Sequence, residues 1–219
     1  MTSQEILLRI LDGAHVTVGI AAYALVFAVP FAFVLGTAQY LATGKVRLIV
    51  TGLIEFWRNN AVIILLYVFY YLLPFAGLKW SAPTVGAFVI GCSAGAYGSQ
   101  IVRGALQSIP RGQLEAGSAL GLRRWHVLAL LEYPQAIRPM LPSFVNELIR
   151  LLQSTALVSL LTLADMTFRA KEVAQVTHQP VLIYTALLVS YFLVSYPLAI
   201  LRRRLEKRVA AATGESHGI

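Results

Sequence analysis

The residues VTVGIAAYALVFAVPFAFVLGTAQYLAT, from Val16 to Thr43, form one uncharged and mostly apolar run. Because a helix needs about 20 such residues to cross the hydrocarbon core of a bilayer, this run predicts a membrane-spanning helix. The composition agrees, since 58% of the 219 residues are hydrophobic and only 13% are charged, whereas about a quarter are charged in an ordinary soluble domain. The sequence therefore predicts an integral membrane protein.

Four further apolar stretches follow this run, so we expect an all-α membrane protein with about five transmembrane helices. The predicted spans are about 15–40, 46–75, 81–106, 142–164 and 180–201, and they form a single transmembrane domain over residues 1–219. A polar loop at residues 108–141 separates the third span from the fourth, and residues 202–219 form a basic tail.

Two of these spans have distinctive compositions. The second is interrupted by the polar residues Arg58, Asn59 and Asn60, which predict a broken helix. The third is rich in small residues that allow helix backbones to approach closely in lipid, so we expect it in the interior of the bundle. Its glycines are Gly86, Gly91, Gly95 and Gly98.

The distribution of basic residues predicts the orientation, because Lys and Arg in short loops are retained on the cytoplasmic side. With the N-terminus placed in the periplasm and the C-terminus in the cytoplasm, only four basic loop residues lie outside: Arg9, Lys79, Arg169 and Lys171. The inner segments then hold Lys45, Arg47, Arg111, Arg123, Arg124, Arg138, Arg202, Arg203, Arg204, Lys207 and Arg208. This arrangement makes 108–141 a cytoplasmic loop.

Other classes of protein and site fit the sequence poorly. The basic residues lie between apolar runs rather than on one solvated face, so no nucleic-acid partner is expected. Cys92 is the single cysteine, which excludes a disulfide framework, and we expect no metal site. The N-terminus lacks a short apolar core followed by a small-residue cleavage site, so the first span is expected to be retained.

The polar loop has structure of its own, since SIPRGQLEAGSALGLRRWHVLALLEYPQAIRPMLPSF is far longer than a simple connection. Its pattern predicts two short helices joined at Gly121, with the second ended by Pro134. Two roles fit such a segment with exposed Arg123 and Arg124. It docks in a groove of a soluble partner, or it lies on the membrane surface against anionic lipid.

The spacing within the loop resembles the EAA loop of importer permeases in the ABC transporter superfamily. The matching positions are Glu115-Ala116-Gly117, Gly121 and Pro134. The stretches AYGSQIVRGALQSIPRGQLEAGSALGLRRW and NELIRLLQSTALVSLL resemble the branch for polar amino acids, which handles histidine, arginine, glutamine, glutamate and opine-type substrates. The similarity covers about residues 13–200.

The match has two departures: Gly117 stands for the family's second alanine, and Leu131-Glu132-Tyr133-Pro134 stands for its Ile-x-Leu-Pro. Both changes keep the expected order of helix, break and stop.

The resemblance implies a multi-pass subunit of the bacterial inner membrane, and a transport subunit rather than an enzyme. It implies an ATP-driven importer that moves a polar amino acid or a related small zwitterion by alternating access. The implied partners are an ABC ATPase dimer, a second permease, a periplasmic solute-binding protein and membrane lipids. The chain lacks the phosphate-binding GxxxxGK[ST] loop, so no cofactor is expected in it, and ATP and Mg²⁺ belong to the partner ATPase.

Polar groups at membrane depth are candidate substrate sites, because they are costly there unless they face a cavity or a partner. The first group is Arg58, Asn59 and Asn60, where the family has Arg-Gly-Thr-Pro, so that only Arg58 matches. An alternative role for Arg58 is an ion pair with Glu55, one turn earlier.

The second group is Ser99, Gln100 and Arg103, near the inner end of the third span. An arginine there is placed either to clamp a carboxylate or to extend to the cytoplasmic headgroups.

The third group is Gln153, Ser154 and Thr155, in the fourth span, with Glu147 and Arg150 one or two turns before them. The family typically has Lys-Asp-Thr-Ser at this place and an acidic residue at the position of Gln100, and in the family that lysine and that acid resemble substrate-contacting groups. Both charges are missing here. We therefore expect a subunit that binds solute weakly or not at all in an unequal permease pair, or one that serves a compact zwitterion. The neutral cavity favours a related chain as the second permease, and a second copy is the alternative.

Two alternatives to an ATP-driven importer fit the sequence less well. A secondary transporter of amino acids, driven by an ion gradient, usually has internal repeats and buried acids for proton coupling. An intramembrane enzyme needs a nucleophile with a base, or a metal cluster at helical spacing. The sequence has neither pattern.

Overall fold

The computed structural model describes residues 3–213, and its regular structure there is entirely helical. The α-helices are α1 (Ser3–Asp12), α2 (Ala14–Leu41), α3 (Gly44–Asn59), α4 (Val62–Leu72), α5 (Ala82–Gln107), α6 (Arg111–Ala119), α7 (Arg124–Val127), α8 (Tyr133–Ser154), α9 (Met166–Thr177) and α10 (Pro180–Thr213). Two 3₁₀-helices, Leu73–Ala76 and Thr155–Leu161, extend α4 and α8, and a π-helical turn, Leu128–Glu132, joins α7 to α8.

Four helical rods in the described residues are long and apolar enough to cross a membrane: Glu5–Leu41, Ala82–Gln107, Arg124–Leu161 and Pro180–Ala211. A fifth candidate is the pair Gly44–Asn59 and Val62–Ala76, which is bent by 101°. The bend falls at Asn60, so the predicted break in the second span is confirmed. Counted as one span, the bent pair brings the number to the expected five.

Small residues bring α2 and α5 into backbone contact. Ala24, Ala28, Ala32 and Gly36 recur every four residues along one face of α2 and are buried. A Cβ added to Gly95 on α5 would lie 2.8 Å from the carbonyl oxygen of Ala28. Most of α5 is buried, so the glycines of the third span do mark the interior of the bundle.

Two helices in the structure were not predicted. α1 and α9 are short, and they pack on each other and on α10 through a buried apolar cluster of Ile6, Ile10, Met166, Ala170, Val173 and Ile183. The sequence does contain a signal for the start of α9. The Asp165 carboxylate accepts hydrogen bonds from the backbone N–H groups of Thr167 (3.2 Å) and Phe168 (2.9 Å), which makes it the N-cap residue.

The structure corrects the prediction that Pro134 ends a helix. Pro134 lies in the first turn of α8, and the helical rod continues without a break from Arg124 to Leu161. A proline lacks an N–H and its ring collides with the carbonyl four residues earlier. The wider π turn relieves this conflict, because the N–H of Tyr133 donates to Leu128, five residues back.

The boundaries of the loop and the tail change as a consequence. Residues 133–141 of the predicted loop belong to α8, whose helix includes Pro139 and Pro142. α10 continues to Thr213, so most of the predicted tail is helical, and its remaining residues, 214–219, lie outside the described part of the chain.

Candidate functional site

A small polar cleft lies where the α3–α4 bend meets α5 and α8. Its volume is about 80 Å³. The bend positions the end of α3, and the small residues of α5 leave room beside it. The polar and aromatic residues that line it are Arg58, Asn60, Ser93, Tyr97, Glu147, Arg150 and Ser154.

Two ion pairs flank a single aromatic ring in this cleft. Arg58 binds Glu55 at 2.8 Å, and Arg150 binds Glu147 at 3.2 Å. The guanidinium carbons of Arg58 and Arg150 lie 5.2 and 4.1 Å from the centre of the Tyr97 ring, within the range of cation–π contacts. The Tyr97 hydroxyl donates to the backbone carbonyl of Arg58 at 3.1 Å, which fixes the ring between them.

The chemistry of the cleft follows from these groups. Guanidinium groups bind carboxylates by paired, charge-assisted hydrogen bonds, and carboxylates bind ammonium groups. Two guanidinium groups and two carboxylates in and beside the cleft balance the local charge. The cleft therefore suits a small solute that carries both a carboxylate and an ammonium group.

Three of the nine predicted cavity residues lie in this cleft: Arg58, Asn60 and Ser154. Arg58 also makes the ion pair with Glu55 that was the alternative expectation, so both features occur together. Asn59 is exposed and donates to the other oxygen of Glu55 at 3.0 Å, which steadies that carboxylate without lining the cleft.

Ser99 and Gln100 belong to a different polar cluster, between α2, α3 and α5. The side-chain amide of Gln100 donates to the side-chain oxygen of Gln39 (2.8 Å), and the Gln39 amide donates to Thr51 (2.9 Å). The Gln100 amide also donates to the Ser99 hydroxyl at 3.1 Å. Gln100 thus connects helices to each other. Arg103 is half-buried on α5, and its Nε has no hydrogen-bond partner among the described residues.

Gln153 and Thr155 also lie apart from the cleft. Gln153 is exposed on the side of α8 that faces α10, in a groove with Tyr184 and Phe192. Thr155 is buried and donates to the carbonyl of Leu152 at 2.6 Å. The predicted third group is therefore divided, because Ser154 faces the cleft while the residues on either side of it face elsewhere.

Two polar or aromatic residues of the cleft were not singled out from the sequence: Ser93 and Tyr97. Glu147 and Arg150 do line the cleft, and the sequence grouped them with Ser154 as ionisable residues within an apolar span. Tyr97 has no comparable signal, since its role depends on contacts with two helices that are distant in the sequence.

The loop between α5 and α8 contains two short helices, α6 and α7, joined through Gly121 as predicted. Gly121 has a φ of 75°, a left-handed conformation that glycine adopts without strain. Gly117 is buried where α6 meets α7, and an added Cβ there would lie 3.0 Å from a methyl carbon of Val127. The departure from alanine at Gly117 therefore allows the two helices to approach closely.

The exposed face of this loop combines charge with large apolar side chains. Glu115 and Ala116 are exposed on α6, and the side chains of Leu120 and Trp125 are 80% and 70% exposed. A soluble surface rarely presents such apolar groups together unless they meet a partner or a membrane.

Behind that face, the loop is tied to α2 by a buried carboxylate. Glu132 is 0% exposed, accepts a hydrogen bond from the Tyr40 hydroxyl at 2.9 Å and binds Arg124 at 2.8 Å. The hydroxyls of Tyr133 and Thr37 are also hydrogen-bonded to each other. In the sequence, Glu132 stands out only as part of a departure from the family pattern.

Comparison with known proteins identifies the family. The model for "Binding-protein-dependent transport system inner membrane component" matches residues 19–211. The chain is 33% identical to the "Probable amino-acid ABC transporter permease protein y4tF" of Sinorhizobium fredii, over 92% of this chain and 87% of that one. It is 29% identical to the "Glutamine transport system permease protein GlnP" of Escherichia coli K12, over 91% and 92% of the two chains.

Solved structures agree with this match. The chain superposes on a subunit in the "Crystal structure of an amino acid ABC transporter with histidines" with a TM-score of 0.82 and 26% identity, over 91% of this chain and 94% of that one. A subunit of the MetNI methionine ABC transporter shares the fold, with a TM-score of 0.76 and 18% identity, over 95% and 99% of the two chains. The chain therefore belongs to the family of inner-membrane components of binding-protein-dependent transport systems, the multi-pass permease subunits of ABC importers, and is a transport subunit rather than an enzyme.

Proposed function

We propose that this permease moves a polar amino acid, or a related small zwitterion, into the cell across the bacterial inner membrane by alternating access. The observation that carries the proposal is the charge-balanced cleft around Tyr97, where two guanidinium groups and the Glu147 carboxylate line a space of about 80 Å³ and Glu55, outside the lining, pairs with Arg58. The names of the relatives, which include amino-acid and glutamine permeases, support the same class of solute.

In this proposal the two ion pairs of the cleft recognise the two charges of the solute. Arg150 is half exposed and extends over the Tyr97 ring, which leaves part of its guanidinium free to bind a carboxylate. Glu147 is almost fully buried, so an ammonium group would meet a poorly hydrated carboxylate there. The predicted residues outside the cleft, such as Gln100 and Gln153, have roles in helix packing or at the α10 groove instead.

The proposed orientation places the N-terminus in the periplasm and the C-terminus in the cytoplasm. Its support is the division of charged segments between the two ends of α2. α1 and α9 pack together near the first turn of α2, where Arg169 lies 3.7 Å from Asp12. The loop arginines and the Lys45–Arg47 turn lie near its last turn, which is the cytoplasmic pattern.

We propose that the loop formed by α6 and α7 docks on the ATPase. The loop carries Glu115, Ala116, Gly117 and Gly121, and it is connected to the cleft-bearing helix α8 through the π turn that precedes Pro134. ATP-driven closure of the ATPase dimer would displace the loop and rotate the permease halves around the cleft. The second half is a related permease, and a periplasmic solute-binding protein delivers the solute.

The proposal is tested with the complete complex in proteoliposomes, with its binding protein inside or outside the vesicles. We expect at least one polar amino acid, added at micromolar concentration, to stimulate both ATP hydrolysis and solute uptake. Import by the purified chain with no ATPase present would contradict the proposal and favour the ion-gradient alternative. A complex that hydrolyses ATP but responds to none of the amino acids would contradict the substrate class alone.

A further inference from the structure

Three elements meet at the carboxylate of Glu132. Glu132 itself ends the π turn, Arg124 begins α7, and Tyr40 lies in the last turn of α2. Each carboxylate oxygen has its own partner: Arg124 binds Oε2 at 2.8 Å and the Tyr40 hydroxyl donates to Oε1 at 2.9 Å. The Arg124 guanidinium also lies 5.3 Å from the centre of the Tyr40 ring, so the three side chains form a closed set of contacts.

Burial makes this set of contacts difficult to open. Glu132 is completely buried, whereas the Arg124 side chain is 43% exposed at the rim of an open depression lined by Tyr40, Leu41 and Trp125. Separation of Arg124 from Glu132 would leave a buried carboxylate without a positive partner and out of contact with water, which is strongly unfavourable. The loop is thus held to α2 by a contact whose loss costs more than that of an ordinary surface ion pair.

The same face of α2 continues the contact toward the middle of the helix. Phe33, Thr37 and Tyr40 recur at helical spacing, and they contact the rod that follows the loop. The Phe33 ring stacks on Phe144 at 5.5 Å and on Tyr133 at 6.2 Å. The neighbouring face of α2, which carries Ala32 and Gly36, packs closely on α5. α2 therefore contacts both the loop rod and the helix that carries Tyr97, and these two also pack directly on each other through a cluster that includes Leu106 and Leu128.

We propose that Arg124, Glu132 and Tyr40 form a latch that makes the ATPase-docking loop and the C-terminal half of α2 move as one body. These are positioning residues, and the inference rests on the proposed docking of the loop. Displacement of the loop would pull on α2 through the latch, so that α2 moves together with α5, which contacts the loop rod directly. The π turn supports this role, because such insertions in helices occur frequently at functional sites.

The direct test is a distance measurement on the complete complex in lipid nanodiscs. Spin labels are attached to two introduced cysteines, Ser118→Cys in the loop and Thr43→Cys just after α2. The native cysteine is removed by Cys92→Ser. We expect one narrow distance distribution that is the same without nucleotide and with trapped ATP. In Tyr40→Phe and Glu132→Gln the distribution should broaden, or differ between the two states. Tyr23→Phe, on the same helix and away from the latch, is the matched control and should behave as the unmodified chain.

Two results would overturn the proposal. One is a distance that changes between nucleotide states in the unmodified chain. The other is a distance distribution that, in both Tyr40→Phe and Glu132→Gln, cannot be distinguished from that of Tyr23→Phe. Tyr40→Phe removes only one hydroxyl, so it keeps the test valid even where Glu132→Gln folds poorly. If no ATPase associates with the unmodified chain, the proposed docking fails, and the latch is then judged by the width of the same distribution in the chain alone.

A second measurement separates transmission from mere stability. With the radiolabelled amino acid that stimulates ATP hydrolysis by the unmodified complex as the probe, we expect ATP hydrolysed per solute imported to rise roughly fivefold in Tyr40→Phe, as for the loss of one hydrogen bond. Hydrolysis and uptake that fall in the same proportion would show a structural role only and would contradict the latch.

Discussion

At the scale of single residues, the position of Tyr97 explains how two arginines lie near each other in a small cleft. Each guanidinium has its own carboxylate, Glu55 for Arg58 and Glu147 for Arg150. The electron-rich ring attracts both cations, in addition to the carboxylate that each one binds. The cleft is therefore neutral overall but strongly polar, which is an environment suited to a zwitterion.

Arg150→Gln should impair both folding and transport, because it leaves the almost fully buried Glu147 without its partner. We expect a loss of roughly 1–3 kcal/mol in stability, less than for a fully buried pair because the Arg150 side chain is half exposed. The measurement is thermal unfolding in detergent together with amino-acid uptake in proteoliposomes.

The double change Glu147→Gln/Arg150→Gln separates the two effects. Removal of both charges should restore most of the stability, while uptake stays low because neither charge of the solute has a partner. Arg169→Gln, outside the cleft, serves as the control for loss of one positive charge. A double variant that transports normally would exclude these residues from solute recognition.

The sequence identified part of this site, and the reasons for the omissions are physical. Arg58 and Ser154 were predicted because polar groups in apolar spans are rare. Gln100 was expected to face the solute, but its amide binds Gln39, which is 61 positions away on another helix. A partner at that distance in the chain has no signature in a single sequence. The same holds for Glu132, whose partner Tyr40 is 92 positions away.

At the scale of helices, the packing of α2 on α5 shows what composition predicts well. The recurrence of small residues indicated that α5 is interior, since glycine and alanine allow backbones to touch in lipid. Helix ends were predicted less well. α1 and α9 are too short to register as spans, and Pro134 was taken as a stop because the π turn that accommodates it has no clear sequence signal.

Gly91→Ala should destabilise the α2–α5 contact, because its Cβ would collide with the backbone carbonyl oxygen of Ala24. Overpacking of this kind typically costs about 1–3 kcal/mol. The matched control is Gly19→Ala on α2, where nothing lies within 4 Å of an added Cβ, and where alanine should instead gain about 0.5–1 kcal/mol of helix stability. Thermal unfolding in detergent compares the two, and equal melting temperatures would contradict the proposed close contact.

Asp165→Ala should loosen the start of α9, since the carboxylate caps the N–H groups of Thr167 and Phe168. The expected loss is about 1 kcal/mol, and Asp165→Asn should lose less because its side-chain oxygen still accepts. Hydrogen exchange of the first turn of α9 measures the effect. Unchanged exchange in Asp165→Ala would contradict the capping role.

Asp165 also predicts a pH dependence, because burial raises the pKa of its carboxyl above the ordinary value. The folded state then binds the proton more tightly than the unfolded state does. This contribution to stability is present below the ordinary pKa and is lost as the pH rises through the raised one. Asp165→Asn should remove that part of the pH dependence in detergent unfolding curves.

At the scale of the whole molecule, different structural elements gather at the two ends of α2. α1 and α9 gather at its first turn, and the proposed docking loop gathers at its last turn, with the cleft between them. Under the proposed mechanism the loop reaches the cleft directly through α8, while the latch connects the loop to α2, which packs closely on α5.

Glu115→Arg should release the ATPase without unfolding the permease, because Glu115 is exposed on α6 and the change reverses the charge of the proposed docking face. Reversal of a charge at an interface sets like charges together, so we expect binding to weaken roughly tenfold or more. The measurement is co-purification of the ATPase with the tagged permease, with thermal unfolding to confirm that the permease stays folded. The matched control is Glu172→Arg on α9, an exposed glutamate at the other end of the molecule, where the same charge reversal should leave co-purification unchanged. Release of the ATPase by Glu172→Arg and retention with Glu115→Arg would place the docking face at the opposite end and invert the proposed orientation.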